Sequence, residues 1–238
     1  MTPARGARAE GDDLDGFVRA VDPDRWLASR FVADRARRAD LIALYAFDGE
    51  LARVRRMASN PLLAEIRLTW WREAVEEIHA CGPVRLHPAA RALAETARRR
   101  ALPRDPLETM VDARLEMLGK PRLNIDEALR WADGVGASTA ALAARVLDPA
   151  APPEAAVPAG LAWGLVLLRR AGLAWGADFD RRMDEALVAA SQAARALSAA
   201  AFPAVAHAAL ARVERRSGPL SDLEKRARLV WAVARGRL

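Results

Sequence analysis

Hydrophobic and polar positions recur at helical spacing along almost the whole chain, and the alternation typical of strands is nowhere sustained. Between residues 61 and 80, for example, Leu63, Ile66, Trp70, Ala74 and Ile78 fall on one helix face, which predicts that this face is buried. The pattern predicts an all-α protein with helices at about 23–30, 34–57, 61–80, 88–100, 106–118, 125–147, 154–172, 178–200, 203–216 and 222–235.

Capping residues mark several of these helix starts, because a side-chain oxygen can accept a hydrogen bond from an unpaired amide and proline fits the first helical position. Three pairs are of this kind: Asp22-Pro23, Asn60-Pro61 and Asp105-Pro106. Two more have the spacing of capping boxes: Asn124 with Glu127, and Ser221 with Glu224. Gly134-x-Gly136 falls inside a predicted helix, which favours close helix packing over a dinucleotide loop.

The connections between helices are short, which favours one compact domain from residue 21 to 238. The stretch from Asp148 to Pro158 contains four prolines and is interpreted as a loop within that domain. Residues 1–20 carry Asp12, Asp13 and Asp15 and no apolar run, which predicts a disordered lead-in and no secretory signal.

The formal net charge is +6, but the positive residues are scattered among carboxylates and do not form the one-sided patch that binds nucleic acid. Cys81 is the only cysteine, so an intramolecular disulfide is impossible and a reducing compartment is favoured. The histidines, His79, His87 and His207, lack the ligand spacing of a zinc site. We therefore expect a cytoplasmic protein that binds no nucleic acid.

Membrane attachment at the inner membrane remains open, although the uncharged runs are too short or too interrupted to span a bilayer. The last predicted helix places Leu229, Val230 and Trp231 beside arginines, as helices that lie in a membrane interface do. Simple packing of this helix on the domain is the alternative. The arginines are Arg226, Arg228, Arg235 and Arg237.

The common catalytic motifs for hydrolysis, nucleotide binding and zinc proteolysis are missing. Carboxylates four residues apart share a helix face and could hold Mg²⁺, but they also occur on ordinary solvated faces. The pairs are Glu73 with Glu77, Asp180 with Asp184, and the stripe of Glu108, Asp112 and Glu116. Of these groups, the stripe is the best remaining candidate for a metal site.

Two segments carry a resemblance to a known family. Ala-Leu-Tyr-Ala-Phe at 43–47, followed by Glu-Leu-Ala-Arg-Val at 50–54, resembles the first active-site helix of the squalene/phytoene synthases. Ile-Arg-Leu-Thr-Trp-Trp-Arg-Glu at 66–73 is similar to the next helix in a bacterial branch that includes relatives of mitochondrial complex I assembly factors. The resemblance spans roughly residues 22–238 and implies a single-domain, isoprenoid-synthase-like helical bundle.

The first family motif has lost its functional residues. Where an active synthase has aspartates that hold Mg²⁺, this chain has Ala52, Arg53 and Arg56, and the family's arginine is replaced by Gly49.

The second motif has changed in the same way. The helix around Gly160 and Arg170 resembles it, but the family's two aspartates are replaced by Ala171 and Trp175, and its asparagine by Leu167. Because Mg²⁺ prefers carboxylate, phosphate and water oxygens, these residues cannot hold it.

The resemblance and its departures together predict a non-catalytic protein that works as a binding or respiratory-complex assembly factor, with no catalytic residue, metal or cofactor. The alternative is an active prenyltransferase that uses Mg²⁺ through the stripe of Glu108, Asp112 and Glu116. The expected partners are a membrane-complex protein and a prenyl diphosphate or another isoprenoid.

A phosphate ligand is predicted to bind through arginine without metal, because guanidinium groups can bind phosphate oxygens directly. Arg53 and Arg56 share a helix face, and Arg170 could approach from the opposite side; pairing of the first two with Glu50 or solvent is the alternative. With aromatic residues added, the predicted ligand-binding residues are Tyr45, Arg53, Arg56, Trp70 and Arg170.

Overall fold

The computed structural model describes residues 13–57, 60–217 and 220–238. Within these ranges the chain forms twelve α-helices and no strand, so the all-α prediction is confirmed. The helices are α1 (Leu14–Val21), α2 (Pro23–Ser29), α3 (Arg35–Met57), α4 (Pro61–His79), α5 (Pro88–Arg100), α6 (Arg104–Leu115), α7 (Ile125–Trp131), α8 (Ser138–Leu147), α9 (Pro153–Arg170), α10 (Ala177–Ala193), α11 (Ala208–Ser217) and α12 (Asp222–Arg235). None of the helices in the described part is long and apolar enough to cross a membrane.

Most of the predicted caps are present. Asp22 and Asn60 accept hydrogen bonds from backbone amides at the starts of α2 and α4, and both capping boxes form before α7 and α12. The start at Asp105-Pro106 was wrong: α6 begins at Arg104, and Asp105 lies within its first turn. Local chemistry therefore sets most helix starts, to within a residue or two.

The prediction of disorder before residue 21 is wrong for the described part of this segment, which is mostly helical. α1 covers most of it and packs against α3 through Val18, which is completely buried. Asp15 accepts hydrogen bonds from Trp26 at 2.9 Å and Arg30 at 2.6 Å, which tie α1 to α2. Residues 1–12 lie outside the described residues.

The buried face of α4 also differs from the prediction. Ala64, Leu68 and Trp71 point into the core, whereas Ile66 is 55% exposed and Leu63 is 40% exposed. The buried face is thus turned by about 100°, one residue, from the predicted face. The Trp71 ring packs at 5.5 Å from the Phe47 ring of α3, a contact that only tertiary packing can supply.

α3 and α9 form the centre of the domain. Every residue of α3 from Asp40 to Gly49 is buried, and Trp163 of α9 is completely enclosed. A π-helical segment, Ala132–Ala137, joins α7 to α8 and crosses α9 at very short range. A Cβ atom on Gly136 would lie 2.2 Å from the carbonyl oxygen of Gly160, which confirms the predicted close packing.

Candidate functional site: a cavity lined by leucine and arginine

A cavity of about 480 Å³ lies between α3, α4, α6 and α9, with the start of α2 at its edge. Its apolar lining includes Leu51, Leu68, Met117, Leu168 and Leu173. The volume is within the range of small-molecule sites in proteins. The cavity lies between the helices that carry Tyr45, Trp70 and Trp163, although none of these three side chains lines it.

Asp48 is a buried carboxylate in the wall of this cavity. It accepts hydrogen bonds from Arg25 at 2.6 Å and from Arg114 at 2.5 Å, and both arginines are buried. Burial raises the pKa of Asp48, but the charges of Arg114 and Arg25 outweigh this effect, so the pKa is lowered overall. Asp48 is therefore an ionised carboxylate, and each of its oxygens is bound by a buried arginine.

Tyr45 lies beneath this network. Its ring is 5.5 Å from the Arg25 guanidinium, and its hydroxyl is buried without a hydrogen-bond partner in the described part of the chain. Burial raises the pKa of this hydroxyl, so it remains protonated. Tyr45 supports the arginine that holds Asp48 and does not contact the cavity.

Three arginines surround the cavity together with the buried Arg114. Arg55 and Arg56 come from the last turn of α3, and Arg170 comes from the end of α9. Arg170 is held by Asp24 at 2.9 Å and lies 4.8 Å from the Trp163 ring, and Arg55 donates to the Lys120 carbonyl at 3.1 Å. Partial burial lowers the pKa of Arg55. The lining contains four arginines and two aspartates, so it favours an anionic group.

Of the five predicted ligand-binding residues, Arg56 and Arg170 line the cavity, whereas Tyr45, Arg53 and Trp70 lie outside its lining. Arg53 pairs with Glu50 at 2.9 Å and lies over the ring of Phe17, which is the alternative considered from the sequence. Trp70 packs against Trp71 on one side and Arg85 on the other.

Sequence reasoning missed Arg55, although a signal for it was present. Arg55 lies three residues after Ala52 and seven after Asp48, so all three share one stripe of α3. Arg25 and Arg114 gave no comparable signal, because they are 23 and 66 residues away from Asp48 in the chain.

The carboxylate stripe on α6 does not reach the cavity. Glu108 pairs with Arg104 at 2.7 Å, Asp112 pairs with Arg72 at 3.5 Å, and Glu116 is exposed. Among the residues that the structure describes, no group of three acidic, histidine or cysteine side chains could hold a metal ion. The stripe is therefore a solvated helix face, as are Glu73 and Glu77, which both bind Arg85.

The cavity lining includes five of the seven changed motif positions; Arg53 and Trp175 lie outside it. Gly49, Ala52 and Arg56 contribute to it from α3, and Leu167 and Ala171 contribute from the end of α9. The family model for squalene/phytoene synthase matches residues 18–172, which include both helices. This chain belongs to the squalene/phytoene synthase family.

Two solved structures share the fold of this family member. A dehydrosqualene synthase in complex with ligand superposes with a TM-score of 0.66 at 14% identity, covering 94% of this chain and 93% of that one. Squalene synthase HpnC from Alicyclobacillus acidocaldarius superposes with a TM-score of 0.56 at 16% identity, covering 94% and 92%. No curated protein matches the sequence.

The magnesium ions that the family uses do not fit this synthase-like cavity. Two carboxylates line it, and Asp48 is held by two arginines. The other, Asp22, caps α2 and lies 3.5 Å from Arg25. Mg²⁺ requires oxygen ligands that are free to coordinate it, and arginine offers none.

His207 is a buried titratable group beside the same network. Its ring packs 4.8 Å from that of Trp163, and Nδ1 has no hydrogen-bond partner in the described ranges. Burial, and then the charges of Arg25 and Arg170, lower the pKa of His207 well below its usual value. His207 is therefore neutral near pH 7.

Because the unfolded chain takes up a proton at His207 near pH 6.5 and the folded chain does not, stability is expected to fall as the pH drops below that value. The expected slope is about 1.4 kcal/mol per pH unit until the folded pKa is reached. Urea unfolding between pH 7 and pH 5 should show a steeper decline in the wild type than in His207→Phe, and the difference between the two should approach this slope at the lower end of the range. Equal slopes for the two proteins would contradict the assignment.

Proposed function

We propose that this protein binds an elongated apolar ligand with an anionic head group, without metal and without converting it. The observation that carries the proposal is the retained cavity, which has leucine walls and arginines at the positions and helix ends where the family holds its metal ions. A prenyl diphosphate has this chemistry, an apolar chain joined to a phosphate group. The solved structures with a similar fold are named as a dehydrosqualene synthase and a squalene synthase. These names support an isoprenoid as the ligand.

The arrangement of charges supports direct binding of the head group. Arg55 and Arg56 approach from the end of α3, and Arg170 approaches from the end of α9, so phosphate oxygens could be bound from both sides. Guanidinium groups form paired, charge-assisted hydrogen bonds with phosphate. The apolar tail would lie against Leu51, Leu68 and Leu168, where burial of hydrocarbon is favourable.

Members of the family are prenyl transferases, and loss of the diphosphate is the step that their metal ions assist. In this chain the corresponding positions hold Ala52, Arg56 and Ala171, and Asp48 cannot replace them because it binds Arg25 and Arg114. We therefore infer a binding protein and not a transferase. An assembly role at a respiratory membrane complex stays a prediction of the sequence resemblance.

Calorimetry with farnesyl diphosphate in excess EDTA is expected to show binding that does not need divalent metal. Arg56→Ala should weaken it about tenfold or more, since a hydrogen bond to a charged group contributes about 1.5–3 kcal/mol. Arg53→Ala is the matched control: it lies on the same helix, but its side chain pairs with Glu50 outside the cavity lining.

Two outcomes would count against the proposal. Binding that requires added Mg²⁺ would show that a metal bridge exists after all, and equal losses in Arg53→Ala and Arg56→Ala would show that the head group is not bound in the cavity. Release of pyrophosphate at synthase-like rates in the presence of Mg²⁺ would support the transferase alternative instead.

A further inference from the structure

α12 has one apolar face that is buried in the domain and a second that is exposed, although Ala227 and Trp231 of the second face also line a groove shared with α10 and α11. Leu229 and Ala232 are completely buried against the rest of the domain. On the opposite side, Leu223 is 78% exposed, Val230 54% and Trp231 52%. With Ala227 also exposed, these residues form a continuous outer stripe along the helix, which we call the α12 outer face.

Positive charge surrounds the α12 outer face. Arg226 lies three residues after Leu223, and Arg228 and Arg235 lie three residues before and four residues after Trp231, so they border the stripe. Arg235 also stacks over the Trp231 ring at 4.7 Å. The acidic residues of α12, Asp222 and Glu224, are confined to the first turn, where they cap the helix.

The second exposed apolar stripe, on the outside of α4, has a different charge pattern. Leu62 is 63% exposed and Ile66 is 55% exposed, but Glu65 and Glu73 are exposed on the same helix together with Arg67. An anionic surface would attract α12 beyond its first turn, where all its charged side chains are basic, and would meet both signs of charge along α4. The charge pattern therefore favours the α12 outer face over the α4 stripe as a surface for binding anions.

We propose that the α12 outer face docks on the surface of an anionic lipid bilayer. Apolar side chains with tryptophan would enter the interface, and the bordering arginines would bind lipid phosphates while their stems lie along the hydrocarbon boundary. α12 has 14 residues, contacts α2 and α11, and exposes its outer face along its length, which suits a helix parallel to the membrane plane.

The same helix is linked to the cavity through a shared carboxylate. Lys225, in the first turn of α12, binds Asp24 at 2.9 Å, and Asp24 also binds Arg170 of the cavity lining at 2.9 Å. This shared carboxylate connects the inner side of α12 to the cavity lining. The docking itself depends only on α12, so it can fail or succeed independently of ligand binding in the cavity.

Co-sedimentation of the full chain with vesicles tests the proposal. We expect binding to an equimolar mixture of phosphatidylglycerol and phosphatidylcholine, and little binding to phosphatidylcholine alone. Trp231→Ala should lower the partition coefficient about tenfold, because it removes the largest apolar side chain of the α12 outer face. Arg226→Gln and Arg228→Gln should each lower it about fivefold on anionic vesicles only.

Leu62→Ala on α4 is the matched control, because it removes an equally exposed apolar side chain and should leave vesicle binding unchanged. Val230→Ser repeats the test at an exposed position that lacks the aromatic ring, in case Trp231→Ala lowers the unfolding temperature. Absence of binding, equal binding to the two vesicle types, or an effect of Leu62→Ala equal to that of Trp231→Ala would overturn the proposal. So would a dimer that Trp231→Ala dissociates, which would make a second copy of the chain the occupant of this face.

Discussion

Asp48→Ala is expected to lower the free energy of unfolding by about 3–5 kcal/mol, because it leaves the buried Arg114 guanidinium without its counter-ion and Arg25 with only Asp22, 3.5 Å away. Arg25 and Arg114 bind the two oxygens of this carboxylate at 2.6 and 2.5 Å, and both side chains are almost completely buried. Neither arginine can avoid this cost by becoming neutral, since guanidinium groups keep their proton at ordinary pH. The variant therefore has to let water in or rearrange the cavity wall.

Urea unfolding measures this effect, and Asp112→Ala provides the control. Asp112 also pairs with an arginine, at 3.5 Å, but both side chains are nearly half exposed, so the expected loss is about 0–1 kcal/mol. Losses of similar size at the two positions would mean that burial does not determine the cost of removing Asp48. The triple variant Asp48→Ala, Arg25→Met and Arg114→Met should recover much of the lost stability, since it also removes the charges of both arginines.

Gly136→Ala is expected to be the second most damaging substitution, with a loss of about 3 kcal/mol or more. The added Cβ would lie 2.2 Å from the Gly160 carbonyl oxygen and 3.0 Å from the Gly164 amide nitrogen. These are backbone atoms, so relief requires α9 to move away from the π-helical segment. Such a shift would also disturb Trp163 and the end of α9 at the cavity.

Gly82→Ala is the control for this prediction, since the nearest atom to its added Cβ is 3.5 Å away. The midpoint of urea unfolding should fall strongly for Gly136→Ala and hardly change for Gly82→Ala. Gly160→Ala should behave like Gly136→Ala, because its Cβ would meet the Gly136 oxygen at 2.3 Å. A stable Gly136→Ala protein would indicate that the two helices can separate at little cost.

The two predictions depend on different kinds of sequence information. The close crossing at Gly136 was foreseeable because two glycines inside a helical pattern indicate packing of backbone against backbone. The role of Asp48 was not foreseeable, since a charged residue in an apolar stretch does not reveal which distant side chains will neutralise it. Its partners come from α2 and α6 and meet it only after folding.

The sequence by itself determined the helical class, most helix boundaries and the family, because capping, helical periodicity and short motifs are properties of neighbouring residues. The tertiary structure alone decided three other matters. It selected the Leu68 face of α4 over the Ile66 face, it placed Arg55 and not Arg53 in the cavity lining, and it left the α12 outer face in solvent. The physical reason is the same in each case: a helix with more than one apolar or charged stripe has several ways to pack, and only its neighbours choose between them.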